Sequence, residues 1–410
     1  MSNRTNSNKT IAKIQIILGL ATVLLFGTTS CERKDLFLRV DMTDIRVEMY
    51  DIGLDLLWGV DWETEWQYSW NETLSNFGTV GYTKPDLIKA TIYSVDSYTG
   101  KRFNSFFKIF DSNGGRVSLN AGSTYDMMFY NFGTEYTSFI QSDDFESYTA
   151  STRMSNQSSW IRTRGESASS EMPDTTKNYI DYNQPDEVFG TLVTDLEISE
   201  DPSGYEKEYD ADGNITYIYK VDAALRPYTF IYLYQIVVLN NADEKGNRIV
   251  GSKGITVTGL SQGVEMFSRK TLNNTISIST DEVKPMQHHE NVRIDENTTV
   301  ESADIMAARV LTWGLPGITP LDLTKAGTKA KEIDKNYIGV GLTLRNGVTY
   351  TVTKDITDEM HSKPTGGVIT IYIDGSSVPQ DLLDQKQQSG GGFNASVEDW
   401  ANEVNAELVI

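Results

Sequence analysis

Trp58-Gly-Val-Asp-Trp62-Glu-Thr-Glu-Trp66-Gln-Tyr-Ser-Trp70 is the stretch on which the fold class turns. Even positions carry Trp58, Val60, Trp62, Thr64, Trp66, Tyr68 and Trp70. Odd positions carry Gly59, Asp61, Glu63, Glu65, Gln67 and Ser69. This is a period of two, with one aromatic face and one polar face, which is the signature of a strand. The tryptophans are also four residues apart. A helix would nevertheless put Val60, Thr64 and Tyr68 on the opposite side, so the strand reading is preferred. The run exceeds the usual strand length of about 5–6 residues, which predicts a bend or bulge within it. Four tryptophans on one face fit a sandwich core, since each aromatic buries about 150–250 Å². A solvent-facing row would instead suit stacking on sugars.

Working outward, turn signals sit between further apolar runs. Tyr205–Tyr209 leads through Asp210-Ala-Asp-Gly-Asn214 into Ile215–Tyr219. Leu342–Leu344 meets Val348–Val352 through Arg345-Asn-Gly347, and Phe106–Phe110 leads through Asp111-Ser-Asn-Gly-Gly115 into Arg116–Leu119. Asn-Gly and Asp-Gly suit hairpin turns, whose central residues need positive φ. Thr229–Leu239 and Val368–Ile373 are further β-rich runs. Glu301–Trp313 (ESADIMAARVLTW) is the best helix candidate by propensity, open to being overridden by tertiary context. Many short strands with frequent turns predict an all-β protein built of β-sandwiches.

Of the 410 residues, 57 are Asp or Glu and 36 are Lys or Arg, a net charge of −21. Phosphate affinity needs Lys and Arg, so nucleic acid is not an expected partner. The chain holds 1 cysteine and 3 histidines, which excludes an internal disulfide and a Cys-rich zinc site. His288 and His289 are adjacent and point to opposite faces of a strand, so they do not share one ion. Asp210–Asn214 departs from a calcium loop, because Val221 stands where the closing Glu belongs. No nucleophile elbow, phosphate loop or dinucleotide fingerprint occurs. The sequence therefore predicts no catalytic residues, no metal site and no cofactor.

The N-terminus is the most specific segment. Arg4, Lys9 and Lys13 precede an apolar run, Ile14–Phe26, that is shorter than the about 20 residues a membrane span needs. Basic region and short apolar core read as a secretion signal over residues 1–30. Gly27-Thr-Thr-Ser30 then precedes Cys31. This resembles a bacterial lipobox, with Thr28 where leucine is usual, and implies acylation of Cys31 and attachment to an outer membrane. Residues 31–40 read as a tether. The polar stretch Gly165–Pro185 reads as a long loop. The expected division is at residue 194, giving domains over 41–193 and 194–410. A linker, Lys386–Gly392, precedes the last segment, where Val404, Ala406, Leu408 and Ile410 alternate with Asn405, Glu407 and Val409 as an amphipathic strand.

Val117–Asn131, with Gly122, Tyr125-Asp126 and Tyr130-Asn131, followed by Gly133-Thr-Glu135, resembles a strand region of the fimbrillin-like outer-membrane lipoproteins, the superfamily of type V pilus subunits and anchors. Gln184-Pro-Asp-Glu-Val-Phe-Gly190, Leu225-Arg-Pro227, Thr312-Trp-Gly-Leu-Pro-Gly317, Asp355-Ile-Thr-Asp358, Thr365–Thr370, Gly391-Gly-Phe393 and Val397-Glu-Asp-Trp400 resemble it too. The resemblance implies two tandem transthyretin-like Greek-key β-sandwich domains and no catalysis. It implies a cell-surface role as anchor or subunit of a pilus-like fibre, with other pilus subunits as partners joined by strand addition. Val404, Ala406, Leu408 and Ile410 are the candidate assembly strand, and Arg33, Arg39 and Arg46 are candidate sites of proteolytic processing. The competing expectation is a surface glycan-binding lipoprotein that uses exposed aromatics.

Overall fold

The computed structural model describes residues 47–50, 82–111, 114–140, 145–155, 181–213, 215–221, 223–294, 297–319 and 335–385. Cys31, Arg33, Arg39, Arg46, the Trp58–Trp70 run, the linker at 386–392 and Val404–Ile410 lie outside the described residues. The described chain is all-β. It begins with β1 (Val47–Tyr50), β2 (Leu87–Val95), β3 (Arg102–Asp111), β4 (Val117–Leu119), β5 (Ser123–Asn131), β6 (Thr137–Ile140), β7 (Thr149–Thr152) and β8 (Asp181–Tyr182). It continues with β9 (Phe189–Ile198), β10 (Glu206–Tyr209), β11 (Ile215–Lys220), β12 (Arg226–Pro227), β13 (Phe230–Leu239), β14 (Ala242–Asp243), β15 (Gly246–Asn247) and β16 (Ile249–Ser261). The remainder is β17 (Gly263–Glu265), β18 (Thr275–Thr280), β19 (Gln287–Arg293), β20 (Thr299–Thr312), β21 (Tyr337–Leu344), β22 (Thr349–Asp355), a helical turn α1 (Thr357–Ser362), β23 (Gly367–Asp374) and α2 (Gln380–Asp384).

One sandwich pairs the sheet β12-β9-β5-β2-β3 with the sheet β10-β11-β1-β4. Ile88, Ile92, Met127, Phe129, Phe189 and Leu225 fill its core. The other pairs β22-β21-β16-β18-β8 with β19-β20-β13-β23 around Tyr232, Tyr234, Val257, Ile278, Val340 and Ile371. β13 shows why these residues form strands. Tyr232, Tyr234, Ile236 and Val238 enter the sandwich core, while Ile231, Leu233 and Val237 pack on the opposite face. A strand covered on both faces reads as a continuous apolar run without alternation.

The same argument corrects the helix expected at Glu301–Trp313. That segment is β20, paired with β13 from Phe230↔Thr312 to Val238↔Asp304 and with β19 on its other side. Ala303, Ile305, Ala307 and Leu311 serve one face, and Met306, Ala308 and Val310 the other. Burial between two neighbours outweighs the modest helix propensity of Ala and Met.

Two of the expected hairpins form. β10 pairs antiparallel with β11 across the Asp210 turn, and β21 pairs with β22 across Asn346-Gly347. Gly347 has φ +82° and its N–H donates to Leu344 O at 2.8 Å, as the turn chemistry requires. The turn at Asp111–Gly115 closes no hairpin. β3 pairs back with β2, while β4 crosses to the other sheet and pairs with β1.

Residue 194, where the sequence divides the chain, lies inside β9, which pairs with β5 along most of its length. Pairing within the first sandwich continues as far as β12. The halves also interlock. β8 joins the second sandwich in parallel with β18, and β7 pairs with β17 in a small sheet with β6. A third cluster, with Tyr93, Tyr130, Phe145, Tyr148, Met266 and the fully buried Trp313, fills the space between that small sheet and β5.

The polar residues of the Val117–Asn131 motif close this structure. Tyr125 Oη accepts from Asn120 N–H at 3.0 Å. Asp126 accepts from Asp195 N–H at 2.8 Å and from Arg102 Nε at 2.5 Å. Asn131 donates to Glu187 O at 2.8 Å and accepts from Phe189 N–H at 2.7 Å. Asn131→Ala removes the partner of the buried Phe189 N–H and of the part-buried Glu187 carbonyl, and an unsatisfied buried group costs about 1–3 kcal/mol. The expected outcome is a loss of about 2–4 kcal/mol in urea unfolding; a loss under about 0.5 kcal/mol would show that water replaces the amide.

Candidate functional site: an open sheet edge

β3 lies at the end of its sheet. It is hydrogen-bonded to β2 from Leu87↔Asp111 to Val95↔Arg102, and it has no strand on its other side among the described residues. A register shift between Ile92 and Ser94 places a bulge opposite Phe103–Phe106, which raises the local twist. Arg102 anchors the start of the strand. Its guanidinium bonds Asp126, reaches Glu146 at 3.2 Å and lies 4.7 Å from the centre of the Phe145 ring.

Phe103, Phe106, Phe107 and Ile109 are between 40% and 61% exposed on this edge. Phe106 pairs with Ile92, and Ile92 belongs to the sandwich core. Phe107 pairs with Thr91 on the other face. The edge is therefore apolar on both sides, and no described strand pairs with its backbone on the side away from β2. Folded proteins ordinarily blunt long apolar edges, because unpaired N–H and C=O groups template another strand. Chemically, this edge can accept an extended segment by main-chain hydrogen bonds, with apolar contacts on alternate side chains.

A second feature is a cleft of about 210 Å³ lined by Asn240, Asn241, Asn247, His288, Glu301 and Asp304 among others, with no Trp, Tyr or Phe in its wall. Its polar groups are tied to one another. Asp304 accepts from Asn241 at 2.6 Å and Asn247 at 3.2 Å, and His288 Nδ1 lies 2.8 Å from its other oxygen. Asn241 also exchanges two bonds with Ile249. The cluster clamps the β14–β15 hairpin to β20, and its wall presents no Trp, Tyr or Phe for a sugar face to stack on.

His288 and His289 sit side by side in β19, and His361 lies on α1. No group of three or more His, Cys, Asp or Glu is arranged to hold a metal among the described residues. Asp210 is a turn residue that accepts from Asp212 N–H at 2.9 Å. Phe106–Phe110 is read from sequence as one arm of a hairpin. Its place at an edge is missed, because apolar residues on both parities of a strand ordinarily signal burial. The consecutive pairs Phe106-Phe107 and Ile109-Phe110 are the sequence signal that both faces of this strand are apolar.

Burial lowers the pKa of His361, and its Nε2 has no hydrogen-bond partner among the described residues. The folded state therefore favours the neutral ring. Its contribution is fully present above the unfolded value of about 6.5 and declines as pH falls through that value toward the lower folded one. His361→Gln should flatten the difference in urea midpoint between pH 7.5 and pH 5.5 relative to the unsubstituted chain. An unchanged difference would mean that other groups carry the acid sensitivity.

Residues 76–281, just over half of the chain, match the family described as "Domain of unknown function (DUF5119)", and the chain belongs to that family. No curated protein matches it by sequence. Among solved structures, it is similar to a "putative adhesin" from Bacteroides ovatus at 15% identity and a TM-score of 0.42, covering 85% of this chain and 98% of that one. It is also similar to the fimbrial anchor protein Mfa2 from Porphyromonas gingivalis, at 9% identity and a TM-score of 0.34, covering 71% and 84%. A fimbrial assembly protein from Parabacteroides distasonis matches at 11% identity and a TM-score of 0.24, covering 72% and 85%. Superposition this loose says nothing about activity.

Proposed function

We propose that this chain is a non-catalytic cell-surface lipoprotein that serves as an anchor or accessory subunit of a pilus-like fibre and joins other subunits by strand addition. The open apolar edge of β3 carries the reading. A ten-residue strand with exposed Phe and Ile on both faces is a hazard unless something pairs with it. Cys31 carries the lipid that holds the chain at the outer membrane. Val404, Ala406, Leu408 and Ile410 form the strand offered to a neighbour. Arg33, Arg39 and Arg46 are where processing would release a polymerising form from its lipid.

Two substitutions separate anchoring from assembly. Cys31→Ser is expected to move the chain out of the membrane fraction, and mass spectrometry of the native membrane form is expected to show acylated Cys31 at its N-terminus. Phe107→Glu with Ile109→Glu is expected to leave membrane attachment intact. It should reduce the chain in the sheared fibre fraction at least tenfold by quantitative immunoblot. An unmodified Cys31 in the membrane form would reject the anchor, and an unchanged fibre fraction would reject the edge as the assembly site.

A further inference from the structure

The sheet β19-β20-β13-β23 is apolar on both faces. Its inner face builds the core of the second sandwich. On its outer face Leu233 and Val237 of β13, Ile305, Ala307 and Leu311 of β20, and Val368 of β23 are all 6% exposed or less. Burial this deep needs a further layer packed on the sheet. Yet every apolar side chain in the two clusters on this face comes from the sheet's own strands, apart from Tyr82. Tyr82 sits at one end, where its hydroxyl donates to Thr229 O at 2.6 Å. At the other end Tyr372 donates to Ile294 O at 2.8 Å. Between these ends, no apolar side chain from another described element joins either cluster. The face also sets a polar requirement. Gln235, midway along β13, donates to Thr370 Oγ1 at 3.1 Å, and its buried Oε1 has no hydrogen-bond partner among the described residues. The missing layer is thus apolar, with a donor near its centre.

The position of Tyr82 says which segment supplies that layer. Residues 51–81 lead directly into it, and the next residue, Thr83, bonds Glu187, which holds Arg309 of β20. The four other long stretches outside the described residues adjoin other places. Residues 1–46 enter β1, in the first sandwich. Residues 156–180 lead into Asp181 of β8, beside β18. Residues 320–334 lead toward Asn336, which bonds Thr258 O and Gly259 O on β16. Residues 386–410 leave α2, whose Leu382 O accepts from Asn346 next to β21. The last three therefore join at the opposite sheet of the second sandwich. Residues 51–81 also have the composition required. Trp58, Trp62, Trp66 and Trp70 share one parity, and Thr64 and Tyr68 place hydroxyl donors among them. As a strand the run from 58 to 70 spans about 43 Å, against about 26 Å from Ala303 to Leu311.

We infer that the outer face of β13 and β20 is the docking surface for residues 58–70 of the same chain, laid with the tryptophan row against the sheet. The segment then crosses from β1, in the first sandwich, to the second and returns through Tyr82 to β2, a strap over both halves. The row is closed to sugars, which removes the aromatic platform that a glycan-binding reading needs. This is packing on a face and leaves the edge of β3 untouched, so it stands or falls apart from strand addition.

Two experiments on the full-length chain test it. In the first, Trp66→p-benzoylphenylalanine is photolysed and the cross-linked peptides are mapped by mass spectrometry. The expected product is an intramolecular cross-link to residues 230–239, 299–312 or 367–374. Cross-links to the first sandwich or to β16, β18 or β21, or none at all, would overturn the inference. A cross-linked dimer would assign the cover to a second copy and overturn it as well. In the second, Trp160→Phe with Trp400→Phe leaves the row and the fully buried Trp313 as the only tryptophans. Their acrylamide quenching constant is expected to be at least threefold lower in the folded chain than in urea. Ala307→Arg sets a long cation beneath the row and should raise the folded value at least twofold, with circular dichroism checking that the sheet persists. A folded value equal to that in urea would overturn the inference and return the row to the sugar reading. An unchanged value in a folded Ala307→Arg chain would overturn this face as the dock.

Discussion

The short segment Gln184–Gly190 fixes how the two sandwiches meet, beside the strand pairings of β8 and β7 and the cluster around Trp313. Asp186 accepts from three consecutive backbone N–H groups, those of Glu135, Tyr136 and Thr137, at 2.7–3.0 Å. Glu187 accepts from Thr83 N–H and from Arg309 of β20, so one carboxylate ties the chain before β2 to the second sandwich. Gln184 accepts from Leu311 N–H on that same strand. Gly190 completes the approach. A Cβ there would meet Tyr228 at 2.4 Å and Phe129 O at 2.9 Å, so β9, β5 and β12 come together only because glycine occupies it. Charged groups taken out of water are costly unless they are hydrogen-bonded, and here Asp186 accepts three bonds and Glu187 two. The arrangement specifies one relative placement of the two cores.

That specification explains why the motifs bear on structure before they bear on function. Tyr125 and Asn131 flank Met127 and Phe129 on one face of β5 while Asp126 lies on the other, and each of the three polar side chains bonds backbone or a partner side chain from a neighbouring segment. Thr312–Gly317 behaves in the same way. Gly314 and Gly317 adopt positive φ, and Thr271 Oγ1 donates to Leu315 O and accepts from Ile318 N–H. These turns lock the end of β20, where Trp313 enters the cluster between the halves.

Much of the architecture is legible in sequence wherever the local signal and the tertiary outcome coincide. Asn346-Gly347 and Asp210–Asn214 dictate their turns by backbone chemistry alone, and the strands on either side have nowhere else to go. Asp111–Gly115 has the same chemistry, yet β4 finds its partner in β1, far earlier in the chain, and turn residues carry no information about so distant a pairing. Thr194 shows a related limit. Composition marks the polar loop before residue 185, but β10 and β11 return to the first sandwich after it, and only long-range pairing reveals that. The segment Glu301–Trp313 fails for a third reason, since its residues suit a helix and a doubly covered strand almost equally well.

The candidate site is the least legible part, and the reason is physical. Phe103, Phe106, Phe107 and Ile109 have the composition of a buried strand, and nothing local separates a central strand from an edge. Exposure arises from sheet order, with β2 on one side of β3 and no described strand on the other. The same apolar side chains that would be ordinary in a central strand are a hazard at an edge, because unpaired N–H and C=O groups beside them template any extended strand, including a second copy of the edge itself. What such an edge pairs with is therefore set outside the strand, by whatever segment is long enough to satisfy its backbone and apolar enough to cover its rings.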